Sequence, residues 1–109
     1  MDIAHLRNPR IITCIVPAGM GRDLVDALYH EKNINTANFV RARGASQRSG
    51  TFADEMDKLT VVVEMDRSDE IFEFLYFKAE IGTAPHRFMY QAPLDLATLF
   101  SLPEIEELD

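Results

Sequence analysis

Three arginines lie close together around a single glycine, and this arrangement favours an anion-binding site. Arg41, Arg43 and Arg48 flank Gly44. Guanidinium groups donate paired, charge-assisted hydrogen bonds to phosphate and carboxylate oxygens, and glycine lets backbone N–H groups approach an anion closely. The same pattern is also typical of a solvated loop whose arginines only maintain solubility, so both interpretations stay open.

The single cysteine is expected to belong to the core. Cys14 lies within the apolar run IITCIV, and a free cysteine is usually buried. A reactive thiol needs an exposed, cationic environment, which a buried strand does not offer. The sequence also has no nucleophile elbow, phosphate-binding loop or catalytic-triad order, so nothing in it favours catalysis.

Residue spacing gives little support to a metal site within one chain. The three histidines show no ligand spacing, so a metal site would have to be assembled between subunits. These histidines are His5, His30 and His86. A group of carboxylates follows the arginines, but it lacks the spacing of a calcium-binding loop, and we interpret it as a solvated turn. The group consists of Asp54, Glu55 and Asp57.

Composition narrows the class of protein and its partners. The chain has 109 residues, which is the size of one domain, and 47% of them are hydrophobic. Its net charge of −7 makes it a poor candidate for nucleic-acid binding, which depends on neutralising phosphates. No apolar run is long enough to span a membrane, and residues 1–10 lack the apolar stretch of a secretory signal. We therefore expect a cytoplasmic protein without membrane insertion.

The arginine cluster would be positioned by the elements before it, which are, in order, a strand, a glycine turn, a helix and a second strand. Residues 11–16 are apolar and β-branched, as in a buried strand that ends at Pro17. Gly19 and Gly21 permit a sharp turn into the helix. Residues 36–43 then alternate as a strand. The apolar face of the helix consists of Leu24, Val25, Ala27 and Leu28.

The second half of the chain repeats this pattern. Residues 59–65 predict a strand, and Ser68 is the expected N-cap of the helix that follows. Gly82 is expected to close that helix, and Pro85 to prevent its continuation. The apolar stripe of the helix consists of Ile71, Phe72, Phe74, Leu75, Tyr76, Phe77 and Ala79.

A fourth strand and a C-terminal appendage complete the pattern. Residues 86–91 alternate as a strand, with Phe88 and Tyr90 on one face. Residues 93–109 predict a short helical tail, in which residues 104–109 hold four carboxylates. We expect this tail either to pack across a sheet edge or a neighbouring subunit, or to act as an acidic docking peptide for a partner.

This order of elements predicts an α+β, ferredoxin-like βαββαβ fold in one domain, with a core at about residues 10–92 and an appendage at 93–109. In this split-βαβ plan, a four-stranded antiparallel sheet carries two helices on one face. The other face is left open and needs cover from another subunit, a ligand or the tail. The second and third predicted strands, at residues 36–43 and 59–65, both mix apolar and polar residues on each face, which favours partial burial by self-association.

The residues from the first strand to Gly44 resemble a PII-like signalling protein, a relative of the nitrogen-regulatory PII family. The matching features are a strand that ends in Val16-Pro17, a helix with Val25, Ala27 and Leu28, and a turn at Asn33-Ile34. These features are followed by a strand that ends in Arg43-Gly44. The stretch at 45–58 comes next, at the position of the family's effector loop. The resemblance covers about residues 10–92.

The resemblance implies a regulatory homotrimer that is not an enzyme. It also implies that a small anionic effector, most often an adenine nucleotide such as ATP, ADP or AMP, binds in clefts between subunits. The loop at 45–58 would then act on a protein target such as a membrane transporter or metabolic enzyme. The residues implied to bind the nucleotide or anion are Cys14, Arg43, Gly44, Ala45, Ser46, Gln47, Arg48, Gly82 and Arg87.

A second hypothesis stays open beside the first. The chain is also compatible with a trimeric ferredoxin-like protein of the divalent-cation tolerance type, which would be structural or metal-binding and would have no nucleotide site. This alternative requires His30 or His86 to meet carboxylates at a subunit boundary.

Overall fold

The computed structural model describes residues 8–43 and 55–94. Within these residues the order of elements is the predicted βαββαβ, and no helix among them is long and apolar enough to cross a membrane. The elements are β1 (Pro9–Pro17), α1 (Met20–Lys32), β2 (Asn38–Arg43), β3 (Glu55–Glu64), α2 (Met65–Lys78) and β4 (Phe88–Pro93).

The four strands form one antiparallel sheet in the order β2-β3-β1-β4. β3 and β1 are the central strands, and β2 and β4 are the edges. Cys14 lies opposite Leu59 on one side and Met89 on the other, which fixes the register of the three strands. Since side chains alternate across a sheet, alternate positions of every strand share a face.

The core lies between one sheet face and the two helices. Inward-facing side chains of the strands pack against the apolar faces of α1 and α2 in one cluster, and this packing excludes water from the sheet-facing sides of both helices. The fully or nearly fully buried members of this cluster are Ile12, Cys14, Val16, Leu24, Leu28, Leu59, Val61, Val63, Ile71, Leu75 and Ala79. This packing confirms the predicted α+β, ferredoxin-like fold.

The opposite sheet face has no helix over it among the described residues. Register places a row of apolar side chains there that are half-buried or exposed, with Thr13 and Thr60 between them. These apolar residues are Ile11, Ile15, Val40, Val62, Phe88 and Tyr90. We call this set the open face. Phe88 and Tyr90 share it, as predicted, with their ring centroids 5.7 Å apart.

Several predicted boundaries are wrong. The third strand begins at Glu55, so the stretch predicted as a loop at 45–58 contains the first four residues of β3. The second strand begins at Asn38 rather than at residue 36, and Pro93, assigned to the appendage, belongs to β4. The described part of the chain ends at Leu94, whose N–H donates to the carbonyl of Pro9, so the predicted helical tail lies outside the described residues.

The ends of α2 also differ from the prediction. The helix begins at Met65, and Ser68 is not its N-cap, because the Ser68 hydroxyl donates to the carbonyl of Met65 inside the first turn. The helix ends at Lys78, before Gly82. Tyr76 and Phe77, predicted to join the apolar stripe, are exposed, because they lie on the side of the helix away from the sheet.

Candidate functional site

A buried carboxylate connects the start of α1 to the edge of the sheet. Asp57 is fully buried on the helix-facing side of β3. Its Oδ2 accepts hydrogen bonds from the backbone N–H groups of Gly19 at 2.8 Å and Gly21 at 2.9 Å. Its Oδ1 accepts from Arg41 Nε at 2.6 Å. We call these four residues the Asp57 clamp.

The local sequence explains why the helix begins against this carboxylate. Gly19, with φ of 102°, turns the chain into α1 in a conformation that residues with a Cβ rarely adopt. The first N–H groups of a helix have no partner within it, and the positive end of the helix dipole favours an anion there. Asp57 supplies that anion from β3.

Close packing at Gly21 brings the carboxylate within reach. A Cβ at Gly21 would lie 2.7 Å from the ring of Phe39 and 2.9 Å from Asp57 Oδ2. Gly21 is therefore required for close approach, since its own φ is not positive. The prediction that both glycines serve backbone freedom is correct for Gly19 only.

Hydrogen bonding keeps Asp57 ionised in spite of its burial. Burial is the largest single influence and would raise the pKa of Asp57, but hydrogen bonds from Gly21, Arg41 and Gly19 together hold that pKa below its ordinary value. The bond to Asp57 in turn raises the pKa of Arg41. Arg41 also forms an ion pair with Glu55 at 3.5 Å. The prediction that Glu55 and Asp57 form a solvated turn is therefore wrong.

The rest of the predicted arginine cluster is described only in part. Arg41 is engaged by Asp57 and Glu55, and Arg43 lies at the end of β2, opposite Glu55 in the ladder. The predicted anion-binding residues Gly44, Ala45, Ser46, Gln47 and Arg48 lie outside the described residues, as does Asp54.

Arg87 and Gly82, which the resemblance assigns to the nucleotide or anion site, make contacts within the chain. Arg87, 18% exposed, donates from Nη1 to the carbonyl of Ala79 at 2.9 Å and lies 3.8 Å from Glu80. The guanidinium therefore satisfies a carbonyl at the C-terminal end of α2. Its Nε is buried and has no hydrogen-bond partner among the described residues. Gly82 packs close to the hydroxyl of Tyr76.

Within one chain these predicted residues do not come together. Arg41 belongs to the edge strand β2, and Arg87 directly precedes the other edge strand, β4. Register puts both at the same end of the sheet, with Asp57 and Val16 between them. Three strand spacings separate them, which is about 14 Å.

Cys14 lies at the centre of the core with no exposed surface. Burial raises its pKa to about 12, so the thiol stays protonated at neutral pH. Its side chain offers a ligand no surface in the single chain, although the predicted nucleotide contact concerns an assembly of several chains and stays a prediction. The expectation of a core cysteine is confirmed.

Metal ligands are also dispersed. In residues 8–43 and 55–94, no three His, Cys, Asp or Glu side chains are close enough together to hold an ion. His30 is exposed on α1, and His86 is exposed in the α2–β4 connection. A site that used them would need ligands from a second chain.

Comparisons with known proteins support the fold. The sequence matches no protein-family model and no curated protein. CutA from Synechococcus elongatus PCC7942 has a TM-score of 0.66 and 7% identity over 89% of this chain and 86% of CutA. A DUF3240 family protein from Shewanella baltica OS155 has a TM-score of 0.65 and 12% identity over 88% of this chain and all of that one.

A second structure of the same CutA, in complex with a Bis-Tris molecule, gives a TM-score of 0.66 at 7% identity over 90% of both chains. Identities this low show a shared fold alone. The ferredoxin-like fold that the resemblance to PII-like proteins implies is therefore supported, and everything else that the resemblance implies stays a prediction.

Proposed function

We propose that this chain is a subunit of a non-enzymatic homotrimer of the cation-tolerance type, in which copies cover one another's open faces. The open face itself carries this proposal. It exposes Val40, Phe88 and Tyr90 beside half-buried Ile11 and Ile15. Contiguous apolar surface of this kind marks an interaction site in a soluble protein.

Three further observations support self-association as the use of this face. The CutA and DUF3240 structures have the same fold over nearly the whole chain. The second face of the sheet is already covered by α1 and α2, so within residues 8–43 and 55–94 the open face is the sheet face left for assembly. The pattern of mixed apolar and polar residues agrees with partial burial, because Lys58 and Thr60 lie among the apolar residues.

The mass of the protein in solution tests the assembly. We expect light scattering to give three times the chain mass for the parent protein. Val40→Lys and Phe88→Lys each place a charge in the open face and should yield monomers, because a desolvated lysine there has no partner. Phe77→Lys changes an equally exposed aromatic residue on the helix side and should stay trimeric. A monomeric parent protein contradicts the proposal.

Metal titration then distinguishes a metal-binding trimer from a trimer with a purely structural role. Saturable binding of Zn²⁺ or Cu²⁺ to the trimer, lost in His30→Ala or His86→Ala, would identify a site shared between copies. Binding that both variants retain would exclude the predicted histidines as ligands. A trimer that binds neither metal would be a structural scaffold.

A second candidate function is adenine-nucleotide sensing at clefts between copies, followed by regulation of a transporter or enzyme. One observation favours it: the buried Nε of Arg87 has no partner among the described residues, and a guanidinium N–H of this kind suits a phosphate oxygen. The residues proposed for this site are Cys14, Arg43, Gly44, Ala45, Ser46, Gln47, Arg48, Gly82 and Arg87.

Isothermal titration with ATP, ADP and AMP tests this second candidate. We expect saturation near one site per chain, and Arg43→Ala should cost about 1.5–3 kcal/mol of binding free energy if its contact is charge-assisted. Arg22→Ala, on the exposed side of α1, is the matched control. A trimer that shows no heat with any nucleotide would eliminate sensing and leave the assembly intact.

A further inference from the structure

A groove on the outer surface of the helix layer lies outside the open face, and one of its lining residues, Phe74, also packs against the core. It has a volume of about 540 Å³ and lies between the C-terminal end of α1 and the length of α2. Its lining residues are Lys32, Glu70, Glu73, Phe74, Phe77 and Lys78. We call it the helix groove. The trimer proposed above buries the opposite side of the sheet, so the groove would face solvent in the assembly too.

Phe74 and its two lysines give the helix groove a fixed shape. The Nζ atoms of Lys32 and Lys78 lie 5.2 and 5.6 Å from the centroid of the Phe74 ring, within the range of cation–π attraction. Lys32 is also paired with Glu70 at 3.3 Å, and Lys78 with Glu31 at 3.0 Å. Both lysines are thus anchored to carboxylates, and their positive charge is balanced locally.

Aromatic surface beside the groove is exposed. Phe77 is 66% exposed and Tyr76 is 37% exposed, and their rings meet edge to face with centroids 5.2 Å apart. An exposed phenylalanine next to a half-buried one provides an apolar anchor point of the kind that dominates binding energy at interfaces. A smaller cavity of about 250 Å³ continues from Tyr76 and Phe77 towards Gly82.

The helix layer that surrounds the helix groove is acidic as a whole, although the lining itself holds two lysines and two glutamates. Together α1 and α2 carry seven carboxylates and four cationic side chains, which gives the helix layer a net charge of −3. The carboxylates are Asp23, Asp26, Glu31, Asp66, Asp69, Glu70 and Glu73, and the cations are Arg22, Lys32, Arg67 and Lys78. Glu73 lines the groove and has no ion-pair partner among the described residues.

We propose that the helix groove docks a basic amphipathic segment of another protein. Such a segment would place apolar side chains against Phe74 and Phe77 and a lysine or arginine against Glu73, as amphipathic helices do when they lie in apolar grooves. Charge complementarity favours this occupant over the C-terminal residues of the chain itself and over a second copy of the chain. Residues 95–109 contain five carboxylates and no basic residue, and a second copy would bring another acidic helix layer.

A phage-displayed library of random peptides of about 14 residues, long enough for roughly four helical turns, tests the proposal. The library is first depleted on the Phe77→Ala protein and then selected on the parent protein. We expect the enriched peptides to carry a net positive charge and apolar residues spaced at i, i+3 or i+4, and i+7. Failure to enrich any peptide, or enrichment of acidic ones, would overturn the proposal.

Fluorescence anisotropy with an enriched peptide then locates the site. Phe77→Ala should weaken binding about tenfold or more, as loss of an apolar anchor does. Glu73→Gln should weaken it about two- to fivefold and reduce its salt dependence. Tyr29→Ala removes an exposed aromatic side chain from α1 that does not line the groove, and it should bind like the parent protein.

Two results would reject the helix groove as a peptide site. One is equal affinity of the Phe77→Ala and parent proteins, with circular dichroism showing both folded. The other is a smaller oligomer in Phe77→Ala, which would identify a second copy of the chain as the occupant. The affinity comparison does not depend on whether the open face assembles the trimer, since Val40→Lys should leave peptide affinity unchanged.

Discussion

Arg41 on β2 lies directly opposite Asp57 on β3, and its Nε donates to Asp57 Oδ1 at 2.6 Å. Because the other carboxylate oxygen accepts from Gly19 and Gly21, one side chain joins the sheet edge to the start of α1. The carbonyl of Glu55 adds a further link, since it accepts a hydrogen bond from the N–H of Ala18. The first residues of β3 therefore hold both the start of α1 and the last residue pairs of the β2–β3 ladder.

Asp57→Asn should destabilise the fold by about 1.5–3 kcal/mol, since hydrogen bonds to a charged group contribute that much. An amide keeps the shape of the side chain but has only one acceptor oxygen, so it would turn an NH₂ group towards a donor of the Asp57 clamp. Urea denaturation measures the change. Asp26→Asn, on the exposed side of α1, should alter the free energy of unfolding by less than about 0.5 kcal/mol. A similarly small effect at Asp57 would contradict a stabilising clamp.

Stability should fall in acid because of the same carboxylate. Its folded-state pKa is depressed, whereas the unfolded chain has the ordinary value of about 3.9. The stabilisation is therefore fully present above about pH 4 to 5, and it is lost as the pH falls through the lower folded-state value. Urea denaturation from pH 7 to pH 2 should show the difference between the parent protein and Asp57→Asn shrinking with acidification. A constant difference across that range would mean that Asp57 is not ionised in the folded state.

The burial of Asp57 was not predicted from the sequence, because its charge was given more weight than its position in the alternating pattern of β3. Residues Asp57, Leu59, Val61 and Val63 alternate in phase, so period two alone places Asp57 on the buried face of β3. A carboxylate is almost never fully buried without partners. Its partners here are the N–H groups of residues 19 and 21, which only the folded chain brings beside it.

The order of elements was predictable because apolar periodicity changes clearly along the chain. The β-branched runs around Cys14 and Val61 and the helical spacing of Leu24 and Leu28 each fix one element type. The ends of α2 were not predictable in this way. Ser68 is a strong capping residue by type, but the strand leads directly into the helix at Met65, which leaves the hydroxyl to bond within the first turn.

Gly19→Ala and Gly21→Ala should destabilise the protein for different reasons. At Gly19 a Cβ meets nothing within 4 Å, so the cost is that of a left-handed backbone, about 1–2 kcal/mol. At Gly21 the cost is overpacking against Phe39 and Asp57, about 1–3 kcal/mol.

A second substitution separates these two causes in thermal or urea denaturation. Phe39→Ala removes Cγ and Cδ2, the two ring atoms that a Cβ at Gly21 would meet, so Gly21→Ala should lose less stability in the Phe39→Ala protein than in the parent protein. The same change should recover nothing in Gly19→Ala, because backbone strain does not depend on the ring. Equal recovery in both variants would contradict the steric role of Gly21.

Cys14 should be inert in the folded protein. A pKa of about 12 leaves about one thiolate in ten thousand at pH 8, and full burial denies a reagent access to the sulfur. We expect no reaction with dithionitrobenzoate until the chain is unfolded in urea, after which one thiol per chain should react. The matched control is Cys14→Ser combined with Asp26→Cys, which moves the thiol to the exposed side of α1 and should react at once in the folded state. Rapid labelling of Cys14 without denaturant would contradict its place between Leu59 and Met89 at the centre of the sheet.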